Sequence, residues 1–244
     1  MIDIHSHILP CVDDGAQSIE DALKLLQLAQ DDGVTTQFLT PHIRSTNYIN
    51  EPDILYAKFR EFSDLVASKN FKIRLHLSAE VRVGPEVMPL VQREDFPWLG
   101  VWEGKKAFLL EMPHGQVPVG TINLIKWLLE RDIMPVIVHP ERNREFQQNI
   151  KLLQEFISTG CIVQITASSL LGKFGEKSKS AATYLLENNM VTFMATDSHN
   201  SFYRPPDLSL GYKMAKNIIG KEKAWSLVHD APVKLLENFT SFQQ

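Results

Sequence analysis

Short apolar runs alternate with stretches of helical period from one end of the chain to the other. The runs at 2–4, 36–39, 73–78, 107–110, 135–138, 161–165 and 191–195 have the length and apolar content of buried strands. Between the first two, Ser18-Ile19-Glu20-Asp21 opens a helix with a serine cap and acids in its first turn. Ala22, Leu25, Leu26 and Ala29 then fall on one face, and Gly33 marks the stop. The segments 53–67, 120–130, 146–158 and 180–188 repeat that helical pattern. Strand–helix alternation predicts an α/β fold with a parallel sheet. The number of units predicts a closed barrel formed by 1–244 as a single domain.

The polar residues that interrupt this pattern cluster where the strands stop. The first strand runs into Asp3-Ile4-His5-Ser6-His7, and the last into Asp197-Ser198-His199. Residues two apart on a strand share a face, so Asp3, His5 and His7 are expected together, as are Asp197 and His199. The strands between are followed by His42, Glu80, Glu111 and His139-Pro140-Glu141-Arg142. In a parallel barrel the carboxyl ends of the strands converge on one rim. Imidazole and carboxylate groups gathered there are the donor set of a divalent metal site. His76 lies inside a strand and His229 in a C-terminal helical segment, so both are expected to be structural. His114, in a loop near the rim, is open between the two roles. Arg142 and Arg204 sit beside the ligand-type segments, where a guanidinium fork could hold phosphate or pair with Glu141 or Asp207. Arg44 and Arg144 are expected in solvent.

Composition narrows the function classes. The chain has 244 residues, 44% of them hydrophobic and 22% charged, with net charge −4. No basic run or Arg/Lys face marks it for nucleic acid. No apolar run approaches the roughly 18 residues of a membrane span, and no charged-then-apolar leader opens it. Two cysteines do not make a disulfide framework. The expectation is a soluble cytoplasmic protein without membrane insertion. A thiol phosphatase needs an arginine six positions after its cysteine, but Cys11 meets Gln17 there and Cys161 meets Ala167. Neither fits.

With these residues assembled, the chain resembles the polymerase-and-histidinol-phosphatase (PHP) superfamily. Within it, the resemblance is to bacterial protein-tyrosine phosphatases of the CpsB/CapC/YwqE type. The segments that carry it are 3–10, Val12-Asp13-Asp14-Gly15, Thr40-Pro41-His42, Ala79-Glu80, Leu110-Glu111, His139-Pro140-Glu141-Arg142, 195–200 and Arg204-Pro205-Pro206.

The resemblance implies a distorted, TIM-like (β/α)7 barrel with up to three divalent ions. Manganese is the usual metal, with iron, zinc, magnesium or cobalt as alternatives. It places His5, His7, Glu80 and Asp197 on one ion, and Glu80, Glu111 and His139 on a second that Glu80 bridges. Asp14, His42 and His199 would hold the third; Asp14 stands directly before the glycine, with Asp13 left open. Three divalent ions against four carboxylates leave a surplus of about two positive charges, which favours an anionic phosphoryl group. Arg142, Arg204 and His199 are the catalytic candidates, with metal-activated hydroxide as nucleophile. The implied substrate is a phosphotyrosine protein, foremost a bacterial tyrosine kinase that regulates capsule or exopolysaccharide synthesis. Two alternatives stand beside it: a small-molecule phosphoesterase such as a histidinol-phosphate phosphatase, and a non-catalytic metal-stabilised regulator.

Overall fold

A computed structural model describes residues 1–43 and 47–240. Its strands are β1 (Ile2–Asp3), β2 (Thr36–Leu39), β3 (His42–Ile43), β4 (Arg74–Leu77) and β5 (Glu80–Arg82), followed by β6 (Gly100–Trp102), β7 (Lys105–Glu111), β8 (Ile133–Val138), β9 (Ile162–Thr166) and β10 (Phe193–Ala195). One sheet has the order β1-β2-β4, and a second runs β10-β9-β8-β7-β5-β3. All these pairings are parallel, while β6 adds to β7 as an antiparallel flap.

The two sheets are halves of one barrel. β2 and β3 are a single wall broken at Thr40-Pro41, since proline has no N–H for a ladder. β4 and β5 are likewise broken at Ser78-Ala79, and bonds from Ser78 N to Leu39 O (2.9 Å) and Glu80 N to Pro41 O (3.1 Å) carry the pairing across both breaks. Closure comes from a parallel bridge between Ser6 and Ser198. Asp197 N donates to His5 O and His7 N to Ser198 O, each at 2.8 Å. The walls are therefore β1, β2/β3, β4/β5, β7, β8, β9 and β10, the expected distorted seven-stranded barrel.

Side-chain alternation sorts the core into two parts. Phe38, Ala107, Leu109, Met134, Val136, Val138, Phe193 and Ala195 form the inner cluster, joined by Ala231 and Leu235 of the helix Ala231–Thr240. That helix packs against β6, which pairs with the start of β7, so it stoppers the end of the barrel opposite the strands' carboxyl ends. Phe108, Leu110, Ile137, Val163, Ile165 and Met194 point the other way, into the layer of surrounding helices.

Helix Ile19–Asp31 is capped by Ser18, whose side chain accepts from Asp21 N, and it buries Ala22, Leu25, Leu26 and Ala29. The segment expected as one helix over 146–158 is two, Arg144–Gln148 and Ile150–Thr159, because the Asn149 backbone (φ −137°) leaves the helical region. The strand expected from Pro135 starts at Ile133: its pairing with β9 begins only at Val136, so proline withholds its missing N–H from an unpaired side. The helices Leu208–Ile219 and Lys221–Trp225 complete the outer layer.

Candidate metal centre

Strand parity aims several of the expected side chains at the barrel's pole. Glu111 follows inward-facing Leu109 by two within β7, whereas Asp197 lies two residues beyond the end of β10 and is placed by the seam, its N–H donating to His5 O. His42 and Glu80 are register partners on β3 and β5. His139 and Asp197 sit in left-handed backbone, φ 37° and 53°, at the ends of β8 and β10. Such conformations are costly for non-glycine residues and persist where surrounding structure enforces them.

Two histidines show what the centre is built to hold. His5 Nδ1 lies 2.7 Å from Gln164 Oε1, and His7 Nδ1 lies 2.7 Å from Asp13 Oδ2. Both partners are acceptors, which assigns the proton of the neutral ring to Nδ1 and makes Nε2 the atom each histidine would offer to a cation. Those two Nε2 atoms face each other at 3.3 Å. Glu80 Oε2 is 3.6 and 3.5 Å from them, and Asp197 Oδ1 is 3.4 and 3.3 Å away. Four donors arranged tetrahedrally at about 2.1 Å from one ion stand about 3.4 Å apart. The two histidine nitrogens thus lie at coordination spacing from each other and from one oxygen of each carboxylate, a donor chemistry that fits a divalent cation.

The same pole holds further sets. Donor atoms within 4.8 Å of one another group as His7, Asp14, His42 and His199; His5, His7 and Glu80; His5, His139 and Asp197; and His42, Glu80 and Glu111. All nine residues expected as ligands are in these groups. The grouping departs from the expected division: Glu111 stands with His42 and Glu80, His139 with His5 and Asp197, and His7 also joins Asp14, His42 and His199. Glu80 is common ground: His139 Nε2 is 2.9 Å from its Oε1, and His42 Nδ1 is 2.6 Å from its Oε2. Asp14, half-exposed, is 3.3 Å from His42 Nε2 and 3.5 Å from His199 Nε2. His199 Nδ1 is turned to its own strand end, 3.0 Å from Asp197 O.

Charge within the cluster is strongly coupled. Burial opposes protonation of His5, yet Asp197 and Glu80 push it up to about 9. Burial is likewise outweighed at His42, which Glu80 and Asp14 push up to about 10. His139 and His199 are pushed down to about 4, chiefly by burial, with Arg142 and His7 respectively adding to it. Burial would raise the Glu80 and Asp197 carboxyls, but neighbouring histidines, and for Asp197 the arginines, hold both well below the usual range.

Asp13 and Asp14 take different places. The Asp13 carboxylate is buried behind His7 and also accepts from His42 N at 3.0 Å and Gly15 N at 2.9 Å. It orients ligands, while Asp14 faces the cluster. Gly15 makes this turn possible: a Cβ there would lie 1.9 Å from His7 O. Asp3, expected on the same face as His5, instead accepts from Thr196 N (3.0 Å), Thr196 Oγ1 (2.5 Å) and Gln37 Nε2 (2.9 Å). β1 ends at Asp3, so strand alternation does not extend to the histidines, and Asp3 clamps the barrel seam.

Neither candidate acidic neighbour takes the arginines. Glu141 accepts from Thr166 N and Ser169 Oγ, and Asp207 from Ser168 Oγ and Lys173 Nζ. Arg142 Nη1 and Arg204 Nη2 both bond to Asp197 Oδ2, on the side of that carboxylate away from the histidines. Phe174 lies against both guanidiniums, with its ring centre 4.4 and 5.9 Å away. Arg82 forks onto Glu111 at 2.9 and 3.1 Å, a contact that strand register explains, because the two are partners on β5 and β7. Arg82, Gln164 and Asp13 as an orienting group were not singled out from sequence. For Gln164, a polar residue inside an otherwise apolar buried strand was the available signal.

The remaining candidates lie outside the centre. His76 stacks on Phe38 at 5.0 Å, and His229 stacks on Trp225 and pairs with Asp230. His114 is exposed and belongs to none of the four groups, Arg144 is exposed, and Arg44 falls outside the described residues. Cys11 Sγ donates to Gln17 O, and burial pushes the Cys161 thiol up to about 12.

The model of the family described as "Capsular polysaccharide synthesis, CpsB/CapC" matches residues 1–237. The chain belongs to the CpsB/CapC family. It is 36% identical to the tyrosine-protein phosphatase YwqE of Bacillus subtilis, covering 100% of this chain and 94% of that one. It is 30% identical to the tyrosine-protein phosphatase CpsB of Streptococcus pneumoniae, over 97% and 98% of the two chains. A crystal structure from work on YwqE and CpsB, described as metal-dependent tyrosine phosphatases, superposes with TM-score 0.90 at 32% identity, covering 98% of this chain and 95% of that one. A β-aspartyl dipeptidase from Fervidobacterium islandicum-AW-1 shares the fold alone, with TM-score 0.53 and 14% identity over 97% of this chain and 72% of that one.

Proposed function

We propose that this CpsB/CapC-family protein is a metal-dependent tyrosine-protein phosphatase of the capsule system, loaded with manganese. We further propose that its substrate is the phosphorylated tyrosine kinase that regulates capsule synthesis. The observation that carries the reading is the converging set of His5, His7, Glu80 and Asp197, with Arg142 and Arg204 seated on the outer oxygen of the same Asp197. A divalent cation bound there would supply Lewis acidity toward phosphoryl oxygens and an acidified water.

The chain's own groups do the rest. In the division that the family resemblance implies, Glu80, Glu111 and His139 would hold a second ion, and Asp14, His42 and His199 a third. Asp13 and Gln164 keep the His7 and His5 protons on Nδ1, so both Nε2 atoms stay available. Arg142 and Arg204 present N–H groups beside the cluster, where they bind equatorial phosphoryl oxygens as charge spreads over them. Phe174 packs against both arginines and limits the conformations they sample. His199, whose protonation burial disfavours, borders the open side with Asp14.

The whole of 1–244 acts, in this reading, as one domain in the cytoplasm, a setting that suits the free thiols of Cys11 and Cys161. Among the described residues no helix is long and apolar enough to cross a membrane. The test is turnover of a phosphotyrosine peptide beside histidinol phosphate, with Mn²⁺ titrated into chelator-treated protein. Metal-dependent turnover of the peptide in preference to histidinol phosphate is expected. Activity that survives exhaustive metal removal, or a preference for histidinol phosphate, overturns the proposal.

A further inference from the structure

The loop that leaves the metal centre carries two aromatic side chains that the fold does not bury. Phe202 is 79% exposed and Tyr203 is 85% exposed. Exposed apolar residues scattered singly need no explanation, but two adjacent aromatics at a site mouth do. The loop's backbone is held in place beneath them. Asn200 Oδ1 accepts from the backbone N–H of Phe202 (3.2 Å), Tyr203 (2.7 Å) and Arg204 (3.2 Å). His199 N donates to Arg204 O at 2.9 Å and closes the base. Both ends therefore belong to the centre: His199 at the start faces Asp14, and Arg204 at the end grips Asp197. Consecutive Cα atoms are about 3.8 Å apart, so Tyr203 is one step and Phe202 two steps from the arginine assigned to phosphate.

Resting on the phosphatase reading, we propose that Phe202 and Tyr203 form a recognition shelf for the residues that flank phosphotyrosine in an extended peptide. Aromatic side chains have few rotatable bonds and lose little conformational entropy when covered, which is why such residues serve as anchors at interfaces. The shelf selects apolar neighbours of the phosphotyrosine. Lys24, whose Nζ stands 4.9 Å from the Phe202 ring centre, adds a cation that suits the negative charge of a phosphopeptide. A small aryl phosphate lacks the flanking residues that the shelf would contact.

The experiment compares wild type with the double variant Phe202→Ala/Tyr203→Ala. The substrates are p-nitrophenyl phosphate and two phosphotyrosine peptides, one with apolar and one with glycine–serine flanks. Removing two aromatic contacts is expected to lower kcat/KM for the apolar-flanked peptide by about 10- to 100-fold, mostly through KM. The glycine–serine peptide and p-nitrophenyl phosphate are expected to change by no more than about twofold, and Phe202→Tyr/Tyr203→Phe to restore the preference.

Equal losses on all three substrates would show a disturbed Arg204 and overturn the shelf. So would an unchanged apolar-flanked peptide, or a wild-type dimer that the alanine variant converts to monomer. Wild type that hydrolyses neither peptide nor p-nitrophenyl phosphate when metal-loaded would overturn the phosphatase reading itself. Intact aryl-phosphate turnover without peptide discrimination overturns the shelf alone.

Discussion

Asp13→Asn tests whether a side chain that need not touch metal sets the metal affinity. The carboxylate accepts from His7 Nδ1 (2.7 Å), His42 N (3.0 Å) and Gly15 N (2.9 Å), with Oδ2 taking the first two and Oδ1 the third. Asparagine keeps the shape but turns one oxygen into a donor. Its better placement leaves the carbonyl toward His7 and His42 and sets the amide NH₂ against the Gly15 N–H. One hydrogen bond is then lost and two charge-assisted bonds become neutral, a deficit of about 2–4 kcal/mol. Part of it falls on the fold and part on metal binding, where loss of a partner behind a histidine ligand costs about 10- to 100-fold in affinity.

The fold's share has a pH signature. Burial opposes ionisation of Asp13, but His7 and His42 hold its carboxyl down at about 2, below the ordinary 3.8. A depressed carboxyl contributes stability above its unfolded value and loses it as pH falls toward the folded one. The wild type should therefore shed about 2 kcal/mol between roughly pH 4 and 2 that the asparagine variant lacks. Metal affinity would be measured by chelator competition, and stability by denaturant titration of metal-free protein. An Asp13→Asn protein whose metal Kd stays within twofold of wild type, while Asp14→Asn weakens binding, would refute the orienting role.

Other perturbations separate the remaining parts. Arg142→Ala and Arg204→Ala should each lower kcat/KM for aryl phosphates by about 10- to 150-fold. Each single variant leaves the other arginine on Asp197, so metal content by elemental analysis should stay near wild type; unchanged kinetics in both would remove them from phosphate binding. In metal-free protein His5 and His42 are raised to about 9 and about 10, so their stabilising contribution is complete below pH 6.5 and is lost as pH rises through those values. The gap in Tm between metal-loaded and chelated protein should widen from pH 6.5 to 10, and a constant gap would contradict the charge coupling. Gly15→Ala puts a Cβ 1.9 Å from His7 O and should cost about 1–3 kcal/mol by denaturant titration together with bound metal; a neutral substitution would mean the turn can open freely.

Much of this protein is written locally. Apolar runs and helical periods are properties of neighbouring residues, and so they located seven barrel walls, the Ser18 cap and the stripe of Ala22, Leu25, Leu26 and Ala29. The ligand-type residues were legible for the same reason, because a parallel barrel brings every strand's carboxyl end to one rim. What sequence could not settle depends on distances between segments remote in the chain. Pro41 and Ala79 break two walls so that His42 and Glu80 become partners, and only closure of Ser6 on Ser198 brings His5 and His7 to Asp197.

Adjacent aspartates show the division most plainly. Asp13 and Asp14 are equivalent as letters, yet the tight turn at Gly15 sends one carboxylate behind His7 and the other toward His42 and His199. Asp3 was expected with the histidines by alternation, but the strand ends beneath it and Thr196, 193 residues away, claims its carboxylate. Sequence named the donor-type residues; tertiary packing decided which of their atoms lie together and which side chains hold the others in place, because a metal site would need atoms a few ångströms apart and chain distance says nothing about that.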